Sequence, residues 1–135
     1  MVNAFKKQLQ RENWNILYED YVNSQRGGRG HQGAINYCFE MIFDKFPDIV
    51  AVREQTLLIA EVDASYKEQY VTKLRAFRSK QDELFQCIKN KIGLNLVNLE
   101  LGLTFQRKPP ISESKLVDFH IWIYNPARKL FDVVR

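Results

Sequence analysis

The alternation of apolar and polar residues predicts two helices in the first third of the chain. Residues 3–24 carry apolar side chains at roughly helical spacing among charged positions, which predicts an amphipathic helix. The side chains of this stripe are Phe5, Leu9, Leu17 and Tyr21. Residues 34–46 are apolar on nearly every side, so they predict a second, largely buried helix that ends before Pro47.

The middle of the chain predicts a hairpin followed by a long helix. Residues 49–52 and 57–60 are short apolar runs on either side of a polar turn, and their continuous apolar character indicates strands that are covered on both faces. From Tyr66 the apolar residues recur at helical spacing as far as Ile92, which predicts one helix of about seven turns. Gly93 is expected to end it.

The last third predicts strands. Residues 97–105 alternate strictly, residues 118–124 alternate as well, and residues 129–134 add an edge strand. The resulting order predicts an α/β fold with a central mixed β-sheet flanked by α-helices. A chain of 135 residues has room for one core, so a single domain is expected over residues 1–135.

Two carboxylates stand at the ends of the predicted hairpin strands. Asp48 directly precedes the first strand, and Glu61 closes the second. If the strands pair, both side chains lie near the same end of the sheet. Paired carboxylates on rigid elements are suitable ligands for a hard divalent cation such as Mg²⁺.

The arrangement around these acids resembles the PD-(D/E)xK nuclease superfamily, which has the restriction-endonuclease-like fold. The resemblance spans residues 34–106: a buried helix, Pro47-Asp48, a hairpin that ends in Glu61-Val62-Asp63, and a long helix. It divides the domain into an N-terminal helix and glycine-rich loop (1–33), this motif-bearing core, and C-terminal strands (107–135). It implies that Asp48, Glu61 and the Val62 carbonyl hold Mg²⁺ or Mn²⁺, and that the metal activates water against a DNA phosphodiester.

Asp63 occupies the position where this superfamily usually has its lysine. Three interpretations remain open. The missing cation comes from the next helix, as Lys73 or Lys67; or a carboxylate at this position serves as a third metal ligand or general base; or the site is inactive and the fold is a module that binds nucleic acid or a protein partner. Asp63 is equally accounted for as part of the N-cap region of the next helix, together with Ser65.

Glu40 is a carboxylate within an otherwise apolar helix, where burial without a partner is costly. It resembles the acidic residue that many of these nucleases carry on the helix before Pro-Asp, where it helps to hold the metal. The alternative is that Glu40 lies on an exposed stripe with Asp44 and is solvated.

The charge of the chain favours polyanionic partners only mildly. Lys and Arg total 20 against 16 Asp and Glu, a formal net charge of +4. Arg26 and Arg29 lie in a segment with four of the six glycines, which predicts a mobile loop able to follow a nucleic-acid strand or simply to join two helices. Lys67, Arg75 and Arg78 make one side of the long helix basic, as a nucleic-acid contact or as a solvated face.

Cysteine usage and hydropathy bear on the compartment and on assembly. Cys38 and Cys87 are far apart and form no metal-ligand motif, so two free thiols and a reducing, cytoplasmic location are expected. No apolar stretch approaches the roughly eighteen residues of a membrane span, so no membrane association is expected. Cutting both strands of DNA with so small a domain requires a homodimer or a partner. A subunit completed only by self-association is a third, purely structural hypothesis.

Overall fold

The computed structural model describes residues 2–20, 31–63, 65–107 and 113–134. Its helices are α1 (Val2–Arg11), α2 (Gln32–Phe43), α3 (Glu68–Ser79) and α4 (Gln81–Ile92). Its strands are β1 (Asn15–Glu19), β2 (Ile49–Arg53), β3 (Thr56–Val62), β4 (Asn98–Phe105), β5 (Phe119–Asn125) and β6 (Leu130–Val133). A short 3₁₀ turn, Glu113–Leu116, precedes β5.

The six strands of these residues form one mixed sheet in chain order, β1 to β6. The first three are antiparallel neighbours, β3, β4 and β5 run parallel, and β6 returns antiparallel to β5. The parallel step from β3 to β4 needs a long crossover, and α3 and α4 supply it. The predicted α/β fold with a helix-flanked mixed sheet is therefore confirmed, as are the β2–β3 hairpin and the C-terminal edge strand.

One face of the sheet packs against α2, α3 and α4. The buried helix residues of this core are Ile35, Cys38, Phe39, Val71, Leu74, Phe77, Leu84 and Ile88. The Phe77 ring centroid lies 5.0 Å from that of Phe39 and 4.9 Å from that of Phe43. These aromatic contacts fix α3 against α2 and so fix the positions of the segments that follow each helix.

The other face of the sheet is covered by α1. The Phe5 ring centroid lies 5.0 Å from that of Trp122 on β5 and 5.4 Å from that of Phe131 on β6. Gly102 on β4 leaves room for the Trp122 ring, because a Cβ at this position would lie 2.8 Å from Trp122 Cζ3. Helices on both faces explain why β2 and β3 are apolar without alternation.

The prediction of one helix over residues 3–24 is wrong. The helix ends at Arg11, and a turn follows in which Asn13 has a φ of 70°. Asparagine tolerates this left-handed conformation better than most residues. Beyond the turn, the segment Asn15–Glu19 pairs with β2 as an edge strand, and a register shift between Ile16 and Tyr18 accompanies the burial of both Leu17 and Tyr18.

The second helix is shorter and more exposed than predicted. It ends at Phe43, because Asp44 adopts a left-handed conformation and its N–H donates to the carbonyls of Phe39 and Glu40. Pro47 therefore lies beyond the helix, in an extended connection to β2. Tyr37 and Met41 are exposed, so the expectation of a largely buried helix is wrong on that side.

The single long helix predicted from Tyr66 is two helices that meet at Lys80. The backbone of Lys80 leaves helical geometry, with φ −122° and ψ 35°. Arg78 lies in the last turn of α3, and Asp82 and Glu83 lie in the first turn of α4. A positive charge at a helix C-terminus and negative charges at a helix N-terminus both interact favourably with the helix dipole, so these residues favour a helix boundary here. Within the described residues, no helix has the length and apolar character needed to cross a membrane.

Cys38 on α2 and Cys87 on α4 form a disulfide, with their Cα atoms 5.9 Å apart. The prediction of two free thiols is wrong. The positions are separated by 49 residues in sequence, and only the packing of α2 beside α4 brings them together. The prediction of a cytoplasmic location rested on two free thiols. Disulfides persist mainly in oxidising compartments, so cysteine usage no longer supports that prediction.

Candidate functional site

Asp48 and Glu61 face each other at one end of the β2–β3 hairpin. The last strand pair at this end is Ile49 with Ala60, so Asp48 and Glu61 come directly after it on either side. The backbone N–H of Asp48 donates to Glu61 Oε2 at 2.9 Å, and the N–H of Val62 donates to Asp48 Oδ2 at 2.7 Å. Each carboxylate is thus held by the backbone of the opposite strand. The predicted juxtaposition of the two acids is confirmed.

Glu61 lies on the helical face of the sheet. It alternates in phase with Leu57 and Ile59, which belong to the core beneath α2, α3 and α4. Only 2% of Glu61 is exposed. A buried carboxylate needs a charged or hydrogen-bonding partner.

Lys73 supplies that partner from α3. Its Nζ atom lies 2.6 Å from Glu61 Oε1, and 23% of its side chain is exposed. The sequence hypothesis directed this lysine toward Asp63, whereas the structure pairs it with Glu61. The cation is therefore beside the acidic pair, although it arrives from a helix and not from the strand.

The environment raises the pKa of both acids above its ordinary value. Burial, and next the nearby charge of Asp48, raises the pKa of Glu61 from 4.5 to about 7, although Lys73 acts in the opposite direction. Burial also raises the pKa of Asp48, against the Val62 N–H and the Lys73 charge. The pair can therefore hold a proton near neutral pH.

Tyr18 and Asp20 also belong to this neighbourhood, and the sequence hypothesis missed them. Tyr18 is 3% exposed and pairs with Val50, which lies two residues after Asp48 on β2. Burial raises the pKa of its phenol, as do the charges of Asp20 and the acidic pair. The N–H of Asp20 donates to the Asp48 carbonyl at 2.8 Å. The short apolar run Ile16, Leu17 and Tyr18 between Asn15 and Glu19 was the available signal for the strand that carries Tyr18 and leads to Asp20.

Asp63 lies at the start of the connection to α3. Its Oδ1 accepts the Ser65 N–H at 3.3 Å, and its Oδ2 lies 3.5 Å from Lys67 Nζ. Its side chain also hydrogen-bonds Tyr70. The N-cap position itself is Lys67, which makes no side-chain cap. Lys67 therefore pairs with Asp63 and Lys73 with Glu61.

Glu40 is exposed on α2, and Asp44, the residue directly after α2, is exposed as well. This agrees with the solvated-stripe alternative. Within the part of the chain that the structure describes, no three His, Cys, Asp or Glu side chains form a group able to hold a metal.

The basic residues proposed for nucleic-acid contact have different positions. Arg26 and Arg29 lie outside the described residues. Arg75 binds Asp118, with Nη2 2.9 Å from Oδ1 and Nε 3.1 Å from Oδ2, and it holds the pKa of that carboxyl below its ordinary value. Arg78 donates to the Leu99 carbonyl at 3.4 Å. Arg75 and Arg78 therefore make internal contacts that attach α3 to neighbouring segments.

Comparison with protein-family models, with curated proteins and with solved structures finds no significant match to this chain.

Proposed function

We propose that Asp48, Glu61 and Lys73 form the centre of a divalent-metal-dependent nuclease that hydrolyses DNA phosphodiester bonds. The ion pair between Lys73 and Glu61 carries this proposal, because it places a cation beside the acidic pair despite Asp63. Of the interpretations left open by the sequence, this favours a lysine supplied by the next helix.

The arrangement of elements supports a restriction-endonuclease-like assignment. A helix leads to Asp48, an antiparallel hairpin ends at Glu61, and a helical crossover leads to a parallel strand. The order agrees with the resemblance over residues 34–106.

The donor set suits Mg²⁺ or Mn²⁺. Magnesium is usually held by one or two carboxylates together with waters and substrate phosphate, so Asp48 and Glu61 are sufficient. The Val62 carbonyl is the expected backbone donor. When bound, the metal would supply Lewis-acid stabilisation of the phosphate and a water of lowered pKa.

The residues of the chain would divide the remaining work. Glu61 must lose its proton before it can act as a ligand, so the site becomes competent as the pH rises through about 7. Lys73, partly exposed, can turn its ammonium toward a phosphate and stabilise charge that develops there. The two backbone N–H donors keep the carboxylates oriented without any metal.

A non-catalytic module that binds nucleic acid or a protein partner is the second candidate. It is favoured by the same contacts: each acid already accepts a backbone N–H, and Lys73 already compensates Glu61. In that case the acidic pair serves only to close the hairpin end. DNA as the partner and homodimerisation for cutting both strands stay predictions.

Plasmid nicking in Mg²⁺ and in Mn²⁺ separates the two candidates. The wild type should nick supercoiled DNA, whereas Glu61→Gln and Asp48→Asn should not. Glu54→Gln is the matched control, because it makes the same charge change at the exposed turn of the same hairpin. Equal nicking by all four proteins would indicate a contaminating nuclease, and no nicking by the wild type would favour the binding module.

A further inference from the structure

A depression of about 350 Å³ opens beside the acidic pair. Its lining residues are Lys45, Phe46, Gln69, Tyr70 and Lys73. The first two belong to the connection that leads into Asp48, and the other three belong to the first half of α3. Since Lys73 also contacts Glu61, the depression adjoins the proposed catalytic centre.

The lining chemistry combines aromatic, cationic and amide groups. Phe46 and Tyr70 are half-buried rings on which a planar group can stack. Lys45 and Lys73 bring positive charge, and the Gln69 amide offers both a donor and an acceptor. No carboxylate lies among the five lining residues. Aromatic platforms beside cations are the usual composition of single-stranded nucleic-acid sites.

The Tyr70 ring is held in place by its neighbours. Asp63 hydrogen-bonds the Tyr70 hydroxyl and raises its pKa, and Lys67 Nζ lies 5.5 Å from the ring centroid. A fixed ring loses less conformational entropy when a ligand stacks on it. This gives Asp63 a positioning role at the place where the nuclease motif has its lysine.

The shape of the depression restricts what can enter. A volume of about 350 Å³ is near the lower end of the roughly 300–1,000 Å³ of small-molecule sites. A base within a duplex has its faces covered by its stacked neighbours, so it must be unpaired or extruded to reach such a site.

We propose that this depression binds one unpaired nucleobase of a single-stranded nucleic acid, next to the phosphodiester at the acidic pair. The proposal rests on the proposed function for the adjacent cleavage, whereas the binding of the base needs no metal. It therefore names single-stranded or locally unpaired nucleic acid as the substrate class.

Fluorescence anisotropy in EDTA tests the proposal without catalysis. The probes are a short fluorescein-labelled oligothymidylate and a labelled hairpin duplex with the same number of phosphates, whose loop is a polyethylene glycol linker so that it contains no unpaired base. The variants are Phe46→Leu and Tyr70→Leu, which keep apolar bulk and remove a ring. Tyr37→Leu is the matched control, because Tyr37 is a 43% exposed aromatic on α2 that does not line the depression.

The wild type should bind the oligothymidylate more tightly than the hairpin. Phe46→Leu and Tyr70→Leu should each weaken oligothymidylate binding at least about fivefold, the lower limit for loss of one base–aromatic stack, and Tyr37→Leu should bind like the wild type. If the hairpin binds as tightly, or if all three variants behave alike, the proposal is overturned.

Two further readouts keep the outcome decisive. If circular dichroism indicates that Phe46→Leu does not fold, Tyr70→Leu and the exposed Lys45→Ala decide; Lys45→Ala should flatten the salt dependence by about 0.7 on a log–log plot. If the wild type nicks DNA in a metal-dependent way and Phe46→Leu binds the oligothymidylate as tightly as the wild type does, the base-binding proposal is overturned and the nuclease proposal is not. If Phe46→Leu and Tyr70→Leu weaken oligothymidylate binding but the wild type does not nick DNA, the nuclease proposal is overturned and the base-binding proposal is not.

Discussion

The ammonium nitrogen of Lys73 lies 2.6 Å from Glu61 Oε1. The two residues come from different elements, α3 and β3, which are packed together in one core that includes Ile59 and Leu74. The pair brings a cation to the end of the hairpin, where the strand itself carries Asp63.

Removal of the Lys73 charge should affect both activity and stability. Lys73→Met is expected to abolish nicking and to lower the free energy of unfolding by about 2 kcal/mol, less than for a fully buried pair because Lys73 is partly solvated. Urea unfolding and the nicking assay measure the two effects. Lys89→Met is the matched control, because it makes the same change at an exposed lysine of α4 that does not line the depression. Similar losses in both variants would contradict a specific role for Lys73.

Protonation of Glu61 should make stability depend on pH. Its folded-state pKa is raised from 4.5 to about 7, so the folded state binds the proton more tightly than the unfolded state. The resulting stability is fully present below pH 4.5 and is lost as the pH rises through about 7. Glu61→Gln should flatten this decline in urea unfolding.

Asp118→Asn provides a control of opposite sign. Its hydrogen bonds with Arg75 lower the pKa of Asp118, so this carboxylate stabilises the fold above its unfolded pKa and loses that effect as the pH falls. Asp118→Asn should lower the free energy of unfolding at neutral pH. The decrease in stability that Glu61 causes as the pH rises toward 7 should still be present in this variant. A profile that Glu61→Gln leaves unchanged would contradict the raised pKa.

The disulfide should contribute substantially to stability. Its two cysteines are separated by 49 residues, and closing a loop of this length constrains the unfolded chain by about 4 kcal/mol in the chain-entropy treatment. The double variant Cys38→Ser, Cys87→Ser should lose most of this in urea unfolding, and a dithiol reductant should reproduce the loss in the wild type but not in the variant. A reductant effect of equal size in both would exclude the disulfide as its cause.

Gly102→Ala should destabilise the sheet. The added Cβ would lie 2.8 Å from Trp122 Cζ3 and 3.3 Å from Ala60 Cβ, so the Trp122 ring must shift within the packed face under α1. The expected cost is about 1–3 kcal/mol, measured by thermal unfolding. Gly102→Ala should lower the unfolding midpoint less in a Trp122→Leu background than in the wild type, because the smaller side chain leaves room for the added Cβ. An unchanged midpoint would contradict the close packing.

Sequence patterns correctly predicted the strands that consist of one continuous apolar run. The β2–β3 hairpin follows from two such runs around a polar turn, and the position of Asp48 and Glu61 at its end follows from the pairing. The strand at Asn15–Glu19 was not predicted, because Phe5, Leu9 and Leu17 also fit one helical stripe. The break at Lys80 was missed for the same reason, since the stripe continues across it.

Tertiary relationships could not be predicted from spacing. Cys38 and Cys87 meet only because α2 packs beside α4. Lys73 was a candidate from its helix position, but its pairing with Glu61 depends on how α3 packs against β3. Tyr18 entered the site only through the pairing of β1 with β2.

Calorimetric titration of Mn²⁺ at pH 8 into the wild type, Asp48→Asn, Glu61→Gln and Glu54→Gln tests the metal site most directly. We expect binding by the wild type and by Glu54→Gln, and loss of binding in the other two. Wild-type binding should be weaker at pH 6, because Glu61 holds its proton there. No binding by the wild type, or equal binding by all four proteins, would contradict a metal site at Asp48 and Glu61.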